Sequence, residues 1–407
     1  MLSRINLYVN TLRYLTPKQL YWQLVYRVHR SKPRSITQFV VLNKYEVPSD
    51  LGINKKSYIS DSEIEIINVK KSYQLPNIWE DQSGDDLWFY NIHYFDYLNN
   101  TGVDNDLKLK LVHDWIDNVS YSSAGWQAYP TSLRIVNWIK WIIENEITDQ
   151  KILQSLYCQC CHLDKNIERH ILANHLFSNI KAILIAALFF DERKSSQWIK
   201  KYNKLLHREL DVQILENGGH YELSPMYHNI ILEDLLDIIS FKKAFSKTIH
   251  HDLTTTAEKM LSWSEAMTHP DGEISFFNDS VSGIAPSVKE LKNFACALGV
   301  VAQNQSKTIH DCDGYYVVRR GPWDLKFDAA DVMANHQPGH THADALSFEL
   351  SAFGKRFFVN SGVSTYHDID MRKNQRSTAA HNTMVIDKKN SSNVWSKFRL
   401  EKRAKII

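Results

Sequence analysis

The chain has 407 residues and a net charge of +2, with 43% hydrophobic and 23% charged residues. Its length exceeds one ordinary hydrophobic core, so we expect a multidomain globular protein, and the near-neutral charge gives no reason to expect a nucleic acid partner. No stretch reaches the ~20 consecutive apolar residues of a membrane-spanning helix, so none is predicted.

Residues 1–86 are predicted to form a helical and irregular N-terminal extension. Met1 to His29 has a helical period, with Leu20 and Leu24 on one apolar stripe. Charged residues interrupt its apolar positions and no small-residue cleavage site follows, so this segment does not resemble a signal peptide and favours a cytoplasmic location. A short β-like piece from Glu63 to Asn68 follows.

Residues 87–301 have the period of successive helices. Leu176 to Phe190 is apolar on nearly every side, which is typical of a helix buried all round. Ser196 to Asn217 is amphipathic, and Gly218-Gly219 after it is a signal for a helix C-cap. Many successive helices, one of them fully apolar, indicate paired helices wound into a ring.

Residues 302–407 change to the period of two that is typical of strands. The predicted strands are Gly314–Arg319, Trp323–Phe327, Leu346–Ser351, Arg356–Asn360 and Thr383–Asp387. These strands are few for a closed β-sandwich. In addition, Phe398 to Ile407 looks like a strand that has no partner strand after it. We therefore expect an incomplete β-domain in a chain truncated at its C-terminus.

The segment from Asn335 to Phe348 is rich in side chains that can act as acids, bases or metal ligands. It holds His336, His340, His342 and an acid, Asp344, within ten residues. Imidazoles this close together are poor core material, but they are good acids, bases, metal ligands and anion donors. Two residues apart, His340 and His342 point to the same side of an extended backbone. The alternative is a solvated polar loop before a strand.

Five segments together resemble heparinase II/III-type polysaccharide lyases: Asn174-His175, Gly218–His228, His340–Asp344, Val359–Tyr366 and His381–Thr383. Trp88–Asp96 and Trp126–Arg134 resemble a bacterial subgroup linked to surface-polysaccharide loci. The resemblance covers residues 87–407. It implies an α+β fold in which an incomplete (α/α) toroid is followed by an antiparallel β-sandwich-like domain. It also implies an anionic polysaccharide as partner, and it makes the periplasm or cell envelope an alternative location.

The chemistry that the resemblance implies is β-elimination of a uronic-acid polymer. A donor that neutralises the sugar carboxylate stabilises the enolate-like transition state, and losing one such donor typically costs ~3 kcal/mol. Asn174 is predicted for this role, with helix capping as its alternative. Tyr227 and His340 resemble the family's acid/base pair. The alternative function is a non-catalytic or hydrolytic saccharide-binding protein in bacterial surface-polysaccharide assembly.

Six further residues are candidate substrate contacts: His175, Tyr221, Glu222, His228, Arg134 and His336. Several have a structural alternative, since Glu222 could orient a neighbour and Arg134 could form an ion pair or cap. His175 could serve packing alone. Tyr221 competes with Tyr227 for the catalytic role, although the Pro-Met-Tyr-His context favours Tyr227 by resemblance.

A metal site is predicted at His342 and His381, where family members with a structural zinc have ligands. In such members the strand resembling Val359–Gly362 carries an Asp, whereas this chain has Asn360, a neutral and poorer ligand. We therefore expect no required cofactor, with zinc as a structural ion. The alternative is that the two histidines hydrogen-bond within the β-domain.

Overall fold

The structure is a computed structural model that describes residues 2–28, 31–46, 51–80, 86–245, 251–303 and 309–407. The helices in these ranges are α1 (Leu2–Leu12), α2 (Pro17–Val28), α3 (Asp86–Ile92), α4 (Asn105–Asn118), α5 (Ala128–Glu144), α6 (Gln150–Asn166), α7 (Ala173–Phe189), α8 (Ser195–Gln213), α9 (Pro225–Ala244), α10 (His251–Ala266), α11 (Val288–Ala297) and α12 (Ile369–Gln375). The strands are β1 (Tyr58–Ile59), β2 (Glu63–Ile66), β3 (Val69–Ser72), β4 (Ile309–Cys312), β5 (Tyr315–Arg320), β6 (Trp323–Asp328), β7 (Phe348–Ala352), β8 (Lys355–Phe358), β9 (Val394–Trp395) and β10 (Arg399–Leu400). Within the described residues, no helix is both long enough and apolar enough to cross a membrane.

The chain divides into two compact units. The sheet unit comprises Met1–Leu20, Glu209–Leu236 and His250–Ile407, and the helical unit comprises Tyr21–Arg208 and Asp237–Ile249. The α+β fold class is confirmed, with helices followed by an antiparallel sheet. The division into residues 1–86, 87–301 and 302–407 remains a prediction.

In the helical unit, α7 is buried along almost its whole length, as its apolar sequence predicts. The charged residues inside this unit compensate one another. Lys140 Nζ lies 2.7 Å from Oδ1 of Asp237, and Lys181 Nζ lies 3.2 Å from its Oδ2. Because all three side chains are buried, this triad joins α5, α7 and the end of α9 through charge rather than apolar packing.

In the sheet unit, β4 to β8 form an antiparallel meander in chain order. Register pairs such as Tyr315 with Asp328 align β5 and β6. Trp263 and Met267, in α10 and just after it, pack with Tyr315 and Val317 to form an apolar core beside the sheet. The connection between β6 and β7 is long, and it carries the histidine cluster.

The predicted C-cap at Gly218-Gly219 is wrong. Helix α8 ends four residues earlier, at Gln213, and the chain then turns so that Ile214 bridges to His220. Gly218 has φ +94°, and a Cβ there would lie 2.5 Å from the backbone of Lys259. A glycine is required at this position by the turn and by the close approach of α10, not by a helix end.

Two other element predictions need correction. The helical stretch in Met1–His29 consists of α1 and α2, separated by a turn before Pro17; Met1 and His29 lie outside the described residues. The strand predicted at Thr383–Asp387 is wrong, since only Ile386 forms an isolated bridge, to Lys389. Its apolar side chains are exposed, so no core face selects an extended partner for it.

Candidate active site

The segment between α8 and α9 is held against the sheet at both of its ends. Asp313, in the turn between β4 and β5, accepts hydrogen bonds from the backbone N–H groups of Asn217 (2.9 Å) and Gly219 (2.7 Å). At the other end, the carbonyl of Leu223 accepts from the Tyr315 hydroxyl at 2.7 Å. His220, Tyr221 and Glu222 are therefore fixed by contacts that come from far along the chain.

Tyr227 lies in the first turn of α9. Ser224 precedes this helix, and its hydroxyl oxygen accepts from the backbone N–H of Tyr227 at 3.2 Å, with Pro225 at the first helical position. Serine before proline is a favoured way to begin a helix. The Tyr227 hydroxyl lies 3.1 Å from the hydroxyl of Tyr366, so the tip of the side chain is also positioned.

His340 and Tyr227 form a stacked pair. Their ring centroids are 3.8 Å apart and the ring planes differ by 9°. Nδ1 of His340 faces Oε1 of Glu222 at 2.9 Å, and its backbone carbonyl accepts from the N–H of Asp279 at 3.1 Å. The structure thus brings together Tyr227, His340 and the Glu222 carboxylate, whose charge lies beside the imidazole.

Burial and charge oppose each other in the pair of Glu222 and His340. Burial alone would raise the pKa of Glu222, but the neighbouring His340 lowers it overall. Burial alone would lower the pKa of His340, but the Glu222 carboxylate raises it overall. Both directions favour an ion pair. His220, whose Nδ1 lies 3.8 Å from Oε2 of Glu222, is different, since burial lowers its pKa to about 4 and keeps it neutral.

His228, predicted as a substrate contact, is buried and hydrogen-bonded inside the protein. It has no exposed surface. Its Nδ1 accepts from the backbone N–H of His220 at 3.1 Å, and its Nε2 lies 2.9 Å from the carbonyl of Met260. Both ring nitrogens are therefore used inside the protein. Tyr221, by contrast, lines a small cavity beside Glu222, and the half-buried His336 packs against its ring.

Arg134, also predicted as a substrate contact, is buried and makes its hydrogen bonds inside the protein. Its guanidinium is fully buried in the helical unit and lies 4.0 Å from the ring centroid of Trp115. It donates to the side chain of Gln159 and to the carbonyls of His93 and Gly125. With its donors directed to these acceptors, the side chain joins neighbouring segments of the fold.

Asn174 and His175 lie in the first turn of α7, in the helical unit. Leu172 occupies the cap position, so Asn174 is not the cap; within the described part of the chain its buried amide has no hydrogen-bond partner. His175 stacks on Tyr129, and its Nδ1 lies 3.2 Å from the Glu168 carboxylate. These residues belong to a different compact unit from Tyr227 and His340, so their action in one site is a matter for the proposal below.

His342, His381 and Asp344 form a buried cluster whose ligand atoms all lie within 4.8 Å of one another. Nε2 of His342 faces the carboxylate of Asp279 at 2.7 Å, and its Nδ1 faces Nε2 of His381 at 3.2 Å. The sequence analysis named both histidines but missed Asp344 as the acid beside them. Its position two residues after His342 was the available signal.

Asn360 supports His381 from behind instead of completing the cluster. Its Oδ1 accepts from the backbone N–H of Asn382, which fixes the orientation of the amide, and lies 3.3 Å from Nδ1 of His381. Nδ1 of His381 therefore carries the proton, and Nε2 presents a lone pair. In the same way, Nε2 of His342 carries the proton that faces Asp279, so its Nδ1 has a lone pair. The lone pairs of His342 Nδ1 and His381 Nε2 therefore face each other, next to the Asp344 carboxylate. Nitrogen ligands of a tetrahedral zinc ion are about 3.3 Å apart, so this donor set fits such an ion.

The sequence analysis also missed Asp279 and Arg372. Arg372 pairs with both oxygens of Asp279, with one contact at 2.6 Å, and its guanidinium lies 4.9 Å from the Tyr366 ring centroid. Although burial opposes it, the charge of Arg372 holds the pKa of Asp279 far below its usual range. A fixed anion therefore lies behind His342. No spacing in the sequence links these residues, because Asp279 lies in the connection before α11 and Arg372 lies in α12, 93 residues further along the chain.

Residues 103–307 match the family described as Heparinase II/III N-terminus, and residues 307–406 match Heparinase II/III-like, C-terminal. The chain belongs to the heparinase II/III family. This membership confirms the family predicted from its motifs, and the paired histidines and the Tyr227 segment lie inside the matched regions.

Relatives in the heparinase II/III family cover part of the chain. A heparin-sulfate lyase of Bacteroides thetaiotaomicron is 28% identical over 263 residues, which is 53% of this chain and 37% of that protein. One from Pedobacter heparinus is 27% identical over 242 residues, covering 53% and 36%. A crystal structure of heparinase III has a TM-score of 0.66 at 19% identity, covering 95% of this chain and 68% of that chain. The last likeness supports the fold, and the chain spans little more than a third of the curated relatives.

Proposed function

We propose that this protein is a polysaccharide lyase that cleaves an anionic, uronic-acid-containing polysaccharide by β-elimination. The observation that carries the proposal is Tyr227 stacked at 3.8 Å on His340, whose imidazole is paired with the buried Glu222. Membership of the heparinase II/III family supports it, as do relatives named heparin-sulfate lyases.

The first requirement of this reaction is to make the proton on carbon 5 of the uronate acidic. The adjacent carboxylate resists further negative charge, so a donor that holds it stabilises the enolate-like transition state. We assign this role to the amide of Asn174, which donates without giving up a proton of its own. His175 next to it assists in holding the same carboxylate.

The second requirement is a base and an acid. In our assignment the Tyr227 phenolate removes the carbon 5 proton, and the electron pair forms the double bond between carbons 4 and 5. The bond from carbon 4 to the bridging oxygen breaks, and His340 donates a proton to that oxygen. Tyr227 ends protonated and His340 neutral, and one proton transferred between them through solvent restores the starting pair.

The ion pair with Glu222 explains why this division of roles is reasonable. An imidazolium held at Nδ1 by a carboxylate keeps Nε2 as its donor, which suits an acid. Its positive charge beside the tyrosine ring favours the phenolate, which a free tyrosine with a pKa near 10 rarely supplies at neutral pH. Glu222 acts in this scheme as a positioning residue and not as a substrate contact.

We further propose a structural cation at His342, His381 and Asp344. Such an ion would supply cross-linking of separate loops, since its ligands come from the connection before β7 and from the region after α12. The residues of the proposed reaction need no proton or electron from it. Its effect on turnover is indirect, because His342 lies two residues from His340.

The test is formation of unsaturated uronate products, followed by ultraviolet absorbance with a panel of heparan sulfate, heparin, alginate, hyaluronan and bacterial exopolysaccharides. We expect Tyr227→Phe to lower turnover by about 100-fold or more while saccharide affinity stays close to wild type, because only one hydroxyl is lost. Tyr316→Phe, an exposed tyrosine on β5, is the matched control.

Three outcomes separate the alternatives. Unchanged turnover in Tyr227→Phe together with loss in Tyr221→Phe would move the base to Tyr221. Turnover with saturated products would indicate hydrolysis. Saccharide binding without any product from the whole panel would favour a non-catalytic protein of polysaccharide assembly over a lyase.

A further inference from the structure

In residues 7–12 of helix α1, large apolar side chains are exposed while polar ones contact the protein. About half of the surface is exposed in three apolar residues of this helix: Tyr8, Val9 and Leu12. The polar residues between them face inward, where the Asn10 amide donates to Glu401 at 2.7 Å and the buried Thr11 hydroxyl accepts from the Trp395 ring nitrogen at 3.2 Å. An amphipathic helix that only covers a water-soluble body has the opposite arrangement.

Helix α2 also carries an exposed apolar stripe, although its half-buried face is mixed and includes Trp22 and Tyr26. Its exposed apolar residues are Leu20, Tyr21, Leu24 and Val28, with exposures of 43% to 77%. Gln19 is buried, and its amide donates to the carbonyl of His336 at 3.2 Å. At about 100° per residue the apolar residues form one stripe, and the exposed Lys18 and Arg27 fall on opposite sides of it. The Gln19 hydrogen bond and the stacking of Tyr26 on His170, at 3.9 Å between ring centroids, hold the inner face, and the apolar stripe is left outward.

The charge of this region is one-sided. Residues 1–45 contain eight Lys and Arg and no Asp or Glu, although the chain as a whole is nearly balanced at +2. A protein partner with an apolar groove would explain the exposed apolar residues of α1 and α2. It would not explain why residues 1–45 contain no Asp or Glu. A surface dense in negative charge explains both, because basic residues that border an apolar stripe reach headgroup phosphates while the stripe enters the acyl boundary.

We propose that α1 and α2 bind the surface of an anionic lipid bilayer. The exposed apolar side chains enter the boundary between headgroups and acyl chains, and Lys18 and Arg27 contact the phosphates. Tyr8 and Tyr21 suit this depth, since tyrosine has an apolar ring and a polar tip. This role is independent of the proposed lyase reaction and concerns where the protein works.

The test uses the full chain and vesicles of phosphatidylcholine with or without phosphatidylglycerol, separated by sedimentation. We expect the protein to bind the anionic vesicles and to be released from them by added salt. Its affinity for the neutral vesicles should be lower by about tenfold or more. Leu20→Ser combined with Leu24→Ser should weaken binding by about tenfold or more. Charge neutralisation by Lys18→Gln or Arg27→Gln should cost about fivefold each, equivalent to ~1 kcal/mol per charge.

Val301→Ser, at an exposed valine outside α1 and α2, is the matched control and should leave binding unchanged. Equal binding to neutral and anionic vesicles would overturn the role of charge. Absence of vesicle binding would overturn the proposal, and a dimer that the Leu20→Ser, Leu24→Ser variant dissociates would assign the stripe to a second copy of the chain instead. Because every substituted side chain is exposed, thermal unfolding should be unchanged throughout.

Discussion

Glu222 is the residue on which the proposed chemistry most depends without touching the reacting atoms. Its carboxylate is buried, and the only short charged contact described for it is His340 Nδ1 at 2.9 Å, with neutral His220 farther away at 3.8 Å. A buried carboxylate is costly unless it is paired, so its retention beside His340 indicates that the pairing matters.

Glu222→Gln should therefore lower kcat by at least about tenfold with little change in KM. The substitution keeps the shape of the side chain but removes the charge that favours imidazolium over neutral imidazole in His340, and so removes a proton donor. Steady-state kinetics on the polymer found by the substrate panel provide the measurement. Glu216→Gln, at an exposed position in the same segment, is the control; a raised KM at unchanged kcat would make Glu222 a binding residue instead.

At the scale of elements, the cluster of His342, Asp344 and His381 joins segments that no strand pairing connects. If a cation binds there, chelation should lower the thermal unfolding midpoint of the wild-type protein. Asp344→Asn should lower the metal content and make the midpoint insensitive to the chelator. Metal analysis of the purified protein and thermal scans with and without chelator provide both readings.

Asn360→Ala serves as the comparison for this cluster. It removes the amide that contacts His381 but leaves all three ligands, so the affinity for the metal should fall without being lost. Full metal content in Asp344→Asn together with complete loss in Asn360→Ala would reverse the assignment and return the ligand role to Asn360.

Periodicity predicted those elements whose burial follows from their own sequence. Helix α7 is apolar all round and is buried all round, and β5 to β7 alternate as half-buried strands do. The stretch Thr383–Asp387 has a short apolar run as well, but in the described structure it has no neighbouring strand, and an extended segment needs one. The apolar pattern of a segment thus predicts its secondary structure only where another part of the chain packs against or pairs with that segment.

The candidate site was predictable as a set of residue types and not as a set of contacts. Tyr227 and His340 are stacked, and Glu222 lies 2.9 Å from His340, but the roles predicted for these residues remain predictions. Arg134 and His228 are both fully buried, which the sequence could not show because it gives residue identity but not burial. Asp279 could not be predicted, since its partners lie more than 60 residues away along the chain.

At the scale of the whole molecule, stability of the helical unit depends on a buried charge triad. Asp237 is the only carboxylate described between Lys140 and Lys181, and it compensates both. Asp237→Asn should lower the free energy of unfolding by about 3–5 kcal/mol, because it removes the carboxylate that compensates the buried Lys140 ammonium. Denaturant unfolding is the measurement, and Asp211→Asn at an exposed position is the control. A loss no larger than that of the control would mean that the triad contributes nothing to stability.

The same triad predicts how stability changes in acid. Burial alone would raise the pKa of Asp237, but the charges of Lys140 and Lys181 outweigh it and lower that pKa in the folded state. The folded carboxylate therefore binds protons less readily than the unfolded one, whose pKa is about 4. Its contribution is complete above that value and is lost as pH falls toward the lower folded pKa, because the unfolded state then binds more protons. The difference in unfolding free energy between wild type and Asp237→Asn should thus be constant near neutral pH and shrink below about pH 4. Unfolding curves for both proteins across this range test the sign, and a difference that grows as the solution is acidified would contradict the assigned charge state of Asp237.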